Sequence, residues 1–233
     1  MIDFHSHILP AIDDGSACVE ESLCMLEMLR EQGIDTVFAT PHFDALRDSP
    51  EAFLIKRAEA YRKLQAALPE DPPEILFGAE VMFFSGISRV KELSGLCLEG
   101  TRLLLLEMPM SKWSDYTVKE LVDLACTGSV TVMLAHVERY FAYQGPEVFD
   151  KLRSVGILMQ VNASFFIRRS TRRKALKMLL KQEIHALGSD CHNTSSRPPQ
   201  MGQAIAIVAD KYGEGFIDEL EAIEKTYFVK KTF

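Results

Sequence analysis

The sequence of 233 residues predicts an α/β fold in which parallel strands alternate with helices and close into a barrel. Three observations favour this class. Seven short apolar runs recur along the chain, amphipathic segments lie between them, and glycines that can end helices precede several of the runs. The number of predicted strands indicates a barrel related to the eight-stranded β/α barrel.

Each of the seven runs has the length of a strand. Most are almost continuously apolar, as expected for parallel strands covered on both faces. In chain order they are MIDFH (1–5), TVFATPH (36–42), EILFGAEV (74–81), RLLLLEM (102–108), TVMLAHV (131–137), LMQVNA (158–163) and IHALGSD (184–190). The competing fold is a doubly wound open sheet. When such a sheet binds nucleotides it usually carries a glycine-rich loop after its first strand, and MIDFHSH contains no glycine.

Helices between the strands are predicted by apolar residues three or four positions apart. Two such series are Leu54, Ala58, Tyr61, Leu64 and Leu68, and Val118, Leu121, Val122 and Ala125. Gly33, Gly128 and Gly156 each follow a helical stretch, where a helix-ending glycine is expected. Neither a repeat nor a long linker interrupts the pattern, so we predict one domain over residues 1–233.

Composition argues against several classes of protein. A formal net charge of −7 disfavours nucleic-acid binding. The densest basic stretch, RRSTRRKALKMLLK (168–181), is interpreted as a solvated helix face, with contact to an anionic partner as the alternative. No apolar run approaches the roughly 20 residues of a membrane span, so no membrane insertion is expected. Five cysteines without a C-x-x-C pair predict free thiols and a cytoplasmic protein.

Strongly polar residues cluster at the carboxyl ends of the predicted strands. They are His5 and His7, His42, Glu80, Glu107, His136, and Asp190 with His192. In a β/α barrel these ends share the face on which active sites form. Residues two apart on a strand point the same way, so His5 and His7 can bind one ion.

A single histidine at a strand end is more often a hydrogen-bonded core residue than a metal ligand, but the joint pattern favours a metal centre. The sixth histidine, His185, enters the last strand and is interpreted as structural. Imidazoles and carboxylates without thiolates suit Mn, Fe or Zn. About nine candidate ligands are too many for one ion and suit two or three ions bridged by carboxylates.

Several sequence blocks resemble one known family over nearly the whole chain. They are HSHILPAIDDG (5–15), TPH (40–42), GAE (78–80), LE (106–107), AHVERY (135–140) and SDCHNTSSRPP (189–199). Together they are similar to the PHP (polymerase and histidinol phosphatase) superfamily. Within it they most resemble the bacterial manganese-dependent tyrosine-protein phosphatases that regulate capsule and exopolysaccharide synthesis.

The resemblance implies a distorted, TIM-like (β/α)7 barrel with a trinuclear Mn²⁺ centre, Fe or Zn being alternatives. One ion would be held by His5, His7, Glu80 and Asp190, a second by Asp14, His42 and His192, and a third by Glu107 and His136 with Glu80 bridging. Asp13 is the alternative to Asp14 and would otherwise orient a ligand. By the same resemblance, Arg139 and Arg197 bind the substrate phosphate.

The implied activity is hydrolysis of phosphotyrosine by a metal-activated hydroxide, with a bacterial tyrosine kinase as the protein substrate. A small-molecule phosphatase such as histidinol-phosphate phosphatase is one alternative, and a non-catalytic, metal-stabilised regulatory protein is another. Cys191 and Arg197 also read C-x5-R, as in cysteine-based phosphatases, but Cys191 lies between two proposed ligands. Aromatic residues that follow strand ends would either hold peptides or pack in the core: Phe43, Phe83, Phe84, Trp113, Tyr116 and Tyr140.

Overall fold

The computed structural model describes residues 1–90 and 92–226. In these ranges the strands are β1 (Ile2–Ser6), β2 (Thr36–Ala39), β3 (His42–Phe43), β4 (Glu74–Phe77), β5 (Glu80–Met82), β6 (Leu103–Glu107), β7 (Thr131–Leu134), β8 (Leu158–Asn162) and β9 (Ala186–Gly188). The helices are α1 (Val19–Glu31), α2 (Pro50–Gln65), α3 (Asp115–Cys126), α4 (Pro146–Ser154), α5 (Ala163–Ile167), α6 (Arg169–Leu180), α7 (Met201–Tyr212) and α8 (Glu214–Thr226). Short 3₁₀ helices span Ile87–Arg89, Ser94–Leu96 and Val137–Ala142.

The strands form a curled parallel sheet, which confirms the predicted α/β fold. One part has the order β1-β2-β4 and the other the order β3-β5-β6-β7-β8-β9. The two outer strands, β1 and β9, meet through backbone hydrogen bonds. Asp190 N–H donates to the His5 carbonyl at 2.8 Å, and His7 N–H donates to the Cys191 carbonyl at 2.9 Å. The carboxyl ends of all these strands therefore face one side of the molecule.

Two of the predicted strands are interrupted, which corrects the sequence-based prediction. The run at 36–42 divides into β2 and β3, and the run at 74–81 divides into β4 and β5. Pro41 has no N–H to donate, and a side chain at Gly78 would meet Leu98 at 2.5 Å. Beyond these breaks β3 and β5 pair in the other part of the sheet, with His42 opposite Glu80.

The helix predictions are confirmed at their ends, and one predicted core residue of α2 is wrong. Gly33, Gly128 and Gly156 follow α1, α3 and α4 with φ angles of +77°, +66° and +82°, as helix-ending glycines do. In α2, however, Ala58 is exposed and Leu68 lies beyond the last helical residue. Leu54, Tyr61, Leu64 and Leu68 pack against the apolar core as predicted, so Ala58 is the one member of the predicted series that faces solvent.

Two apolar clusters pack against the two faces of the curled sheet. The smaller one contains Phe4, Phe38, Leu105 and Met133 and is built from strand and loop residues inside the curl of the sheet. The larger one joins the outer face of the sheet to the helices. Glu107 lies two residues beyond Leu105 on β6, so its carboxylate continues the inner face toward the carboxyl ends of the strands. No helix in the described ranges combines the length and apolar character needed to cross a lipid bilayer.

Candidate metal centre

All nine predicted metal ligands come together at the carboxyl ends of the strands, and we call them the ligand cluster. They are His5 and His7 at the end of β1, Asp14 in the following loop, His42 in β3, Glu80 in β5, Glu107 in β6, His136 after β7, and Asp190 and His192 after β9. Most of their side chains are buried, and Asp14 is the exposed exception. His185 lies apart, where its Nδ1 accepts the N–H of Met159 at 3.1 Å.

The first group of ligand atoms is the one expected for the first ion. The Nε2 atoms of His5 and His7 lie 3.1 Å apart. Oε2 of Glu80 lies 3.1 Å from the first of these nitrogens and 3.2 Å from the second. Oδ1 of Asp190 lies 3.7 Å from His5 Nε2 and 3.6 Å from His7 Nε2. These two imidazole nitrogens and two carboxylate oxygens thus lie close together, and each of them can accept a proton or bind a cation.

The second group lies at the outer edge of the cluster. Oδ1 of Asp14 is 3.4 Å from Nε2 of His42 and 3.5 Å from Nε2 of His192. Nε2 of His192 is buried and makes no hydrogen bond within the described residues. A nitrogen left without a hydrogen bond beside carboxylate oxygens is the arrangement expected of a side chain that binds a cation.

The third group is centred on the two glutamates. Nε2 of His136 lies 2.8 Å from Oε1 of Glu80 and 3.5 Å from Oε1 of Glu107. His42 also turns its Nδ1 toward this group, at 3.1 Å from Oε2 of Glu80. Glu80 therefore contacts predicted ligand atoms of both the first and the third group. This position fits the bridging role expected of it.

Electrostatics of the surrounding cavity also fit bound cations. The cavity has a volume of about 620 Å³ and is lined by seven carboxylates and three guanidinium groups, among them Glu80, Glu107, Asp190, Arg139 and Arg197. Burial alone would lower the pKa of His7, but its hydrogen bonds to Asp13 and Glu80 raise it to about 10. Hydrogen bonds to Glu107 and Glu80 likewise overcome burial and raise the pKa of His136 to about 9. A bound cation would therefore compete with protons for the imidazoles of His7 and His136.

Asp13 lies outside the three groups of predicted ligand atoms and hydrogen-bonds to one of the predicted ligands, His7. Nδ1 of His7 donates to Oδ2 of Asp13 at 2.8 Å, and the same oxygen accepts the backbone N–H of His42 at 3.0 Å. The other carboxylate oxygen accepts the N–H of Gly15 at 2.9 Å. Because Nδ1 of His7 donates to Asp13, its Nε2 faces the metal position with its lone pair.

Two buried amides in β8 support the cluster, and the sequence analysis missed them. Oε1 of Gln160 lies 3.3 Å from Nδ1 of His5 and accepts the backbone N–H of His136 at 2.6 Å. Nε2 of Gln160 donates to Oδ1 of Asn162 at 3.1 Å, and Nδ2 of Asn162 donates to Oδ2 of Asp190 at 2.8 Å. Both residues lie toward the carboxyl end of an apolar strand. A search for all polar residues at strand ends, including amides, would therefore have identified them.

Arg139 and Arg197 lie on either side of Asp190 at the mouth of the cavity. Nη2 of Arg197 donates to Oδ1 of Asp190 at 2.7 Å, and Arg139 donates to the opposite oxygen, Oδ2. Their side chains are 38% and 37% exposed, so other N–H groups of both guanidiniums face the cavity. Two guanidiniums at one opening form a fork of donors that matches phosphate oxygens.

The backbone at two of the ligands adopts a left-handed conformation that side chains rarely favour. The φ angle is +32° at His136 and +52° at Asp190. Asp3, which the sequence analysis also missed, is fully buried beside this region. Its Oδ1 accepts the N–H of Ser189 at 2.8 Å and that of His5 at 3.2 Å, and it therefore ties β1 to the segment that carries Asp190.

Cys191 is fully buried among apolar side chains. Burial, together with the negative charge of Asp3, raises the pKa of its thiol far above the ordinary value. A protonated, inaccessible thiol is unsuited to nucleophilic attack. The C-x5-R pattern is therefore not a catalytic loop here.

The aromatic residues that follow strand ends mostly pack in the core. Phe43, Trp113 and Tyr140 are buried, whereas Tyr116 is 56% exposed. The apolar side chains that do line the cavity are Met82 and Met110, which are 40% and 39% exposed. The apolar lining of the cavity therefore comes from methionines that the sequence analysis did not single out.

Comparison with known proteins gives consistent matches. The family model "Capsular polysaccharide synthesis, CpsB/CapC" matches residues 1–228. "Tyrosine-protein phosphatase CpsB" of Streptococcus pneumoniae is 30% identical over 231 residues, which cover 94% of this chain and 94% of the relative. The protein of the same name from Streptococcus agalactiae is 28% identical over 246 residues, which cover 98% of this chain and 100% of the relative.

A solved structure shares the fold. It comes from the work on YwqE of Bacillus subtilis and CpsB of Streptococcus pneumoniae, which are described as unique metal-dependent tyrosine phosphatases. The TM-score is 0.83 at 24% sequence identity, and the match covers 100% of this chain and 96% of the other. The curled parallel sheet with its surrounding helices is therefore the architecture of that structure.

Proposed function

Since this chain belongs to the CpsB/CapC family of capsular polysaccharide synthesis proteins, we propose that it is a metal-dependent tyrosine-protein phosphatase whose cations bind at the ligand cluster. The expected resemblance to capsule-associated tyrosine phosphatases is confirmed by the family model and by relatives of that name. Mn²⁺ is the cation that we propose, in two or three sites, since the donors are imidazoles and carboxylates without thiolates.

The observation that carries this proposal is the charge of the cavity. Seven carboxylates face three arginines there, so a phosphate dianion would enter a site of excess negative charge. Two or three divalent cations reverse this excess. Four of these carboxylates, together with four histidines, offer the atoms that would hold such cations: Asp14, Glu80, Glu107, Asp190, His5, His7, His42 and His192.

The side chains then have separable tasks. The ligand cluster would hold divalent cations, which would lower the pKa of a water molecule and supply hydroxide for hydrolysis of the phosphoester. Arg139 and Arg197 donate to the oxygens of the phosphoryl group and hold it at the mouth of the cavity. Asp13, Gln160 and Asn162 hold His7, His5 and Asp190 in position. The phenolate of tyrosine has a pKa of about 10 and needs little help from a general acid as it leaves.

We further propose that the substrate is a tyrosine-phosphorylated protein of capsule or exopolysaccharide synthesis, such as a bacterial tyrosine kinase. The family description supports this assignment. A cytoplasmic location is proposed as well. It is supported by five cysteines that form no disulfide in the described residues.

The test compares three substrates with purified protein and Mn²⁺, with and without chelator. They are a phosphotyrosine peptide, a phosphoserine peptide and histidinol phosphate. We expect turnover of the phosphotyrosine peptide alone, and its loss when the metal is removed. Preference for histidinol phosphate would favour a small-molecule phosphatase, and inactivity on all three would favour a regulatory role.

Two variants separate the metal mechanism from a cysteine mechanism. Cys191→Ser should retain phosphotyrosine turnover, because the buried thiol takes no part in it. His136→Ala should abolish turnover, because it removes a donor beside Glu80 and Glu107. Loss of activity in folded Cys191→Ser would contradict the proposal.

A further inference from the structure

A basic cleft lies on the flank of the molecule, between α4 and α6. Its volume is about 550 Å³, and its basic residues are Arg153, Lys174, Lys177 and Lys181. Phe141 and Phe149 add an aromatic lining. This cleft shares no lining residue with the cavity of the ligand cluster.

The positive charge of the cleft is concentrated and only partly neutralised. Residues 168–181 contain seven lysines and arginines and no aspartate or glutamate, in a chain of formal net charge −7. Arg153 pairs with Asp150, and Lys181 lies 3.8 Å from Glu183. Lys174 and Lys177 form no ion pair within the described residues. They are spaced i, i+3 on α6, so their ammonium groups lie on the same face of the helix.

Aromatic packing fixes one of these cations over the cleft. Nζ of Lys174 lies 3.5 Å from the ring centroid of Phe141, within the range of a cation–π contact. Phe141 belongs to the 3₁₀ helix Val137–Ala142, which also carries Arg139. This 3₁₀ helix thus contributes Phe141 to the basic cleft and Arg139 to the cavity of the ligand cluster.

We propose that this basic cleft binds an acidic segment of the substrate protein that flanks the phosphotyrosine. This inference rests on the proposed phosphatase function. Charge complementarity requires an anionic occupant, and a concave cleft lined by two phenylalanines fits side chains of an extended peptide. A flat membrane surface would instead need basic groups on a convex face. The shared 3₁₀ helix places the cleft beside the site where the phosphate binds.

Two phosphotyrosine peptides test the proposal. Their sequences are identical except that glutamates flank the phosphotyrosine in one and glutamines in the other. The unmodified protein with Mn²⁺ should have a KM about tenfold lower for the acidic peptide, with similar kcat. The double variant Lys174→Glu/Lys177→Glu should lose this preference. Its hydrolysis of a small aryl phosphate should be unchanged.

A matched control is available on the same helix. Arg169→Glu/Arg173→Glu makes the same change in charge at exposed residues that do not line the cleft. It should keep the preference for the acidic peptide. Equal KM values for both peptides with the unmodified protein, or equal loss of preference in both variants, would overturn the proposal.

A binding measurement separates this proposal from the phosphatase proposal. Fluorescence anisotropy with an unphosphorylated acidic peptide should show weaker binding to the cleft variant than to the control variant. Absence of phosphotyrosine turnover would contradict the phosphatase function alone. Turnover without any difference between the two peptides would contradict only the proposal that the cleft binds an acidic segment. Binding to phosphatidylglycerol vesicles that is lost in the cleft variant, without a preference for the acidic peptide, would assign the cleft to membranes and overturn the proposal.

Discussion

At the scale of single residues, hydrogen bonds decide which nitrogen of three histidines faces the ligand cluster. Nδ1 of His7 donates to Asp13, Nδ1 of His5 faces Gln160, and Nδ1 of His192 donates to the Asp190 carbonyl. All three leave Nε2 facing the proposed metal positions. The proposed orientation of these imidazoles therefore depends on Asp13, Gln160 and a backbone carbonyl.

Gln160→Met tests this dependence, because methionine keeps the size of the side chain and removes its hydrogen bonds. We expect Mn²⁺ affinity to fall about 10- to 100-fold, as measured by isothermal titration calorimetry. The control is Gln144→Met, since Gln144 is also a buried glutamine but bonds to Trp113 and Ser111, away from the ligands. Unchanged Mn²⁺ affinity in Gln160→Met would contradict a role in positioning His5.

At the scale of elements, the junction of β9 with β1 has no space for a side chain at Gly188. A Cβ there would lie 2.6 Å from Cβ of His5 and 2.7 Å from Nε2 of Gln160. Gly188→Ala should therefore lower the free energy of unfolding by about 1–3 kcal/mol and weaken Mn²⁺ binding as well. Thermal unfolding and metal titration measure the two effects.

Gly128 provides the comparison for that experiment. Its φ angle is +66°, and a methyl group added at this position would meet no described atom within 4 Å. Gly128→Ala should cost roughly 1 kcal/mol of stability through its backbone conformation and leave turnover unchanged. If both variants lost stability but neither lost metal affinity, the close approach at Gly188 would be irrelevant to the site.

Helix α8 carries a buried carboxyl group whose titration should affect stability. Burial raises the pKa of Glu224 from 4.5 to about 8. Between these values the folded state holds more protons than the unfolded state, so the free energy of unfolding falls as pH rises from about 4.5 to about 8. Glu224→Gln should therefore raise Tm at pH 8 by several degrees and leave it unchanged near pH 4.5.

The exposed Glu219 on the same helix is the control for Glu224. Glu219→Gln should leave the pH dependence of Tm as it is in the unmodified protein. A Tm of Glu224→Gln that follows the unmodified protein at every pH would contradict the assignment of this dependence to Glu224.

The sequence predicts these elements well where a local signal determines them, and less well where distant contacts do. Apolar runs locate the strands, and glycines such as Gly156 locate helix ends. The break after Phe77 depends on the proximity of Leu98 to Gly78, which no local pattern contains, whereas the break after Ala39 lies beside Pro41, a local signal in the sequence. Gln160 escaped notice because an amide binds metal poorly, although it contacts two ligands.

At the scale of the whole molecule, the ligand cluster joins strands that are far apart in the sequence. His5 at β1 and Asp190 after β9 lie on either side of the closure of the sheet, and Glu107 lies on β6. Cations bound among them would connect both parts of the sheet. Metal binding and folding should therefore be coupled.

Removal of metal tests this coupling. With Mn²⁺ at about 100 times its Kd, Tm should lie roughly 5–10 °C above the value in excess EDTA. The variant His5→Gln/His7→Gln should show a much smaller difference, because two donors of the first group are gone. Equal Tm values with Mn²⁺ and with EDTA for the unmodified protein would contradict the coupling.

The left-handed backbone at His136 and Asp190 has a consequence for how this protein can change. Such a conformation costs about 1–3 kcal/mol in a residue other than glycine, and here it persists where the side chains are needed for chemistry. Glycine at either position would relieve the backbone and inactivate the enzyme. Relief of the backbone would be opposed by loss of the Asp190 contacts with Arg139 and Arg197 and of the His136 contact with Glu80, so stability as well as turnover favours retention of these two side chains.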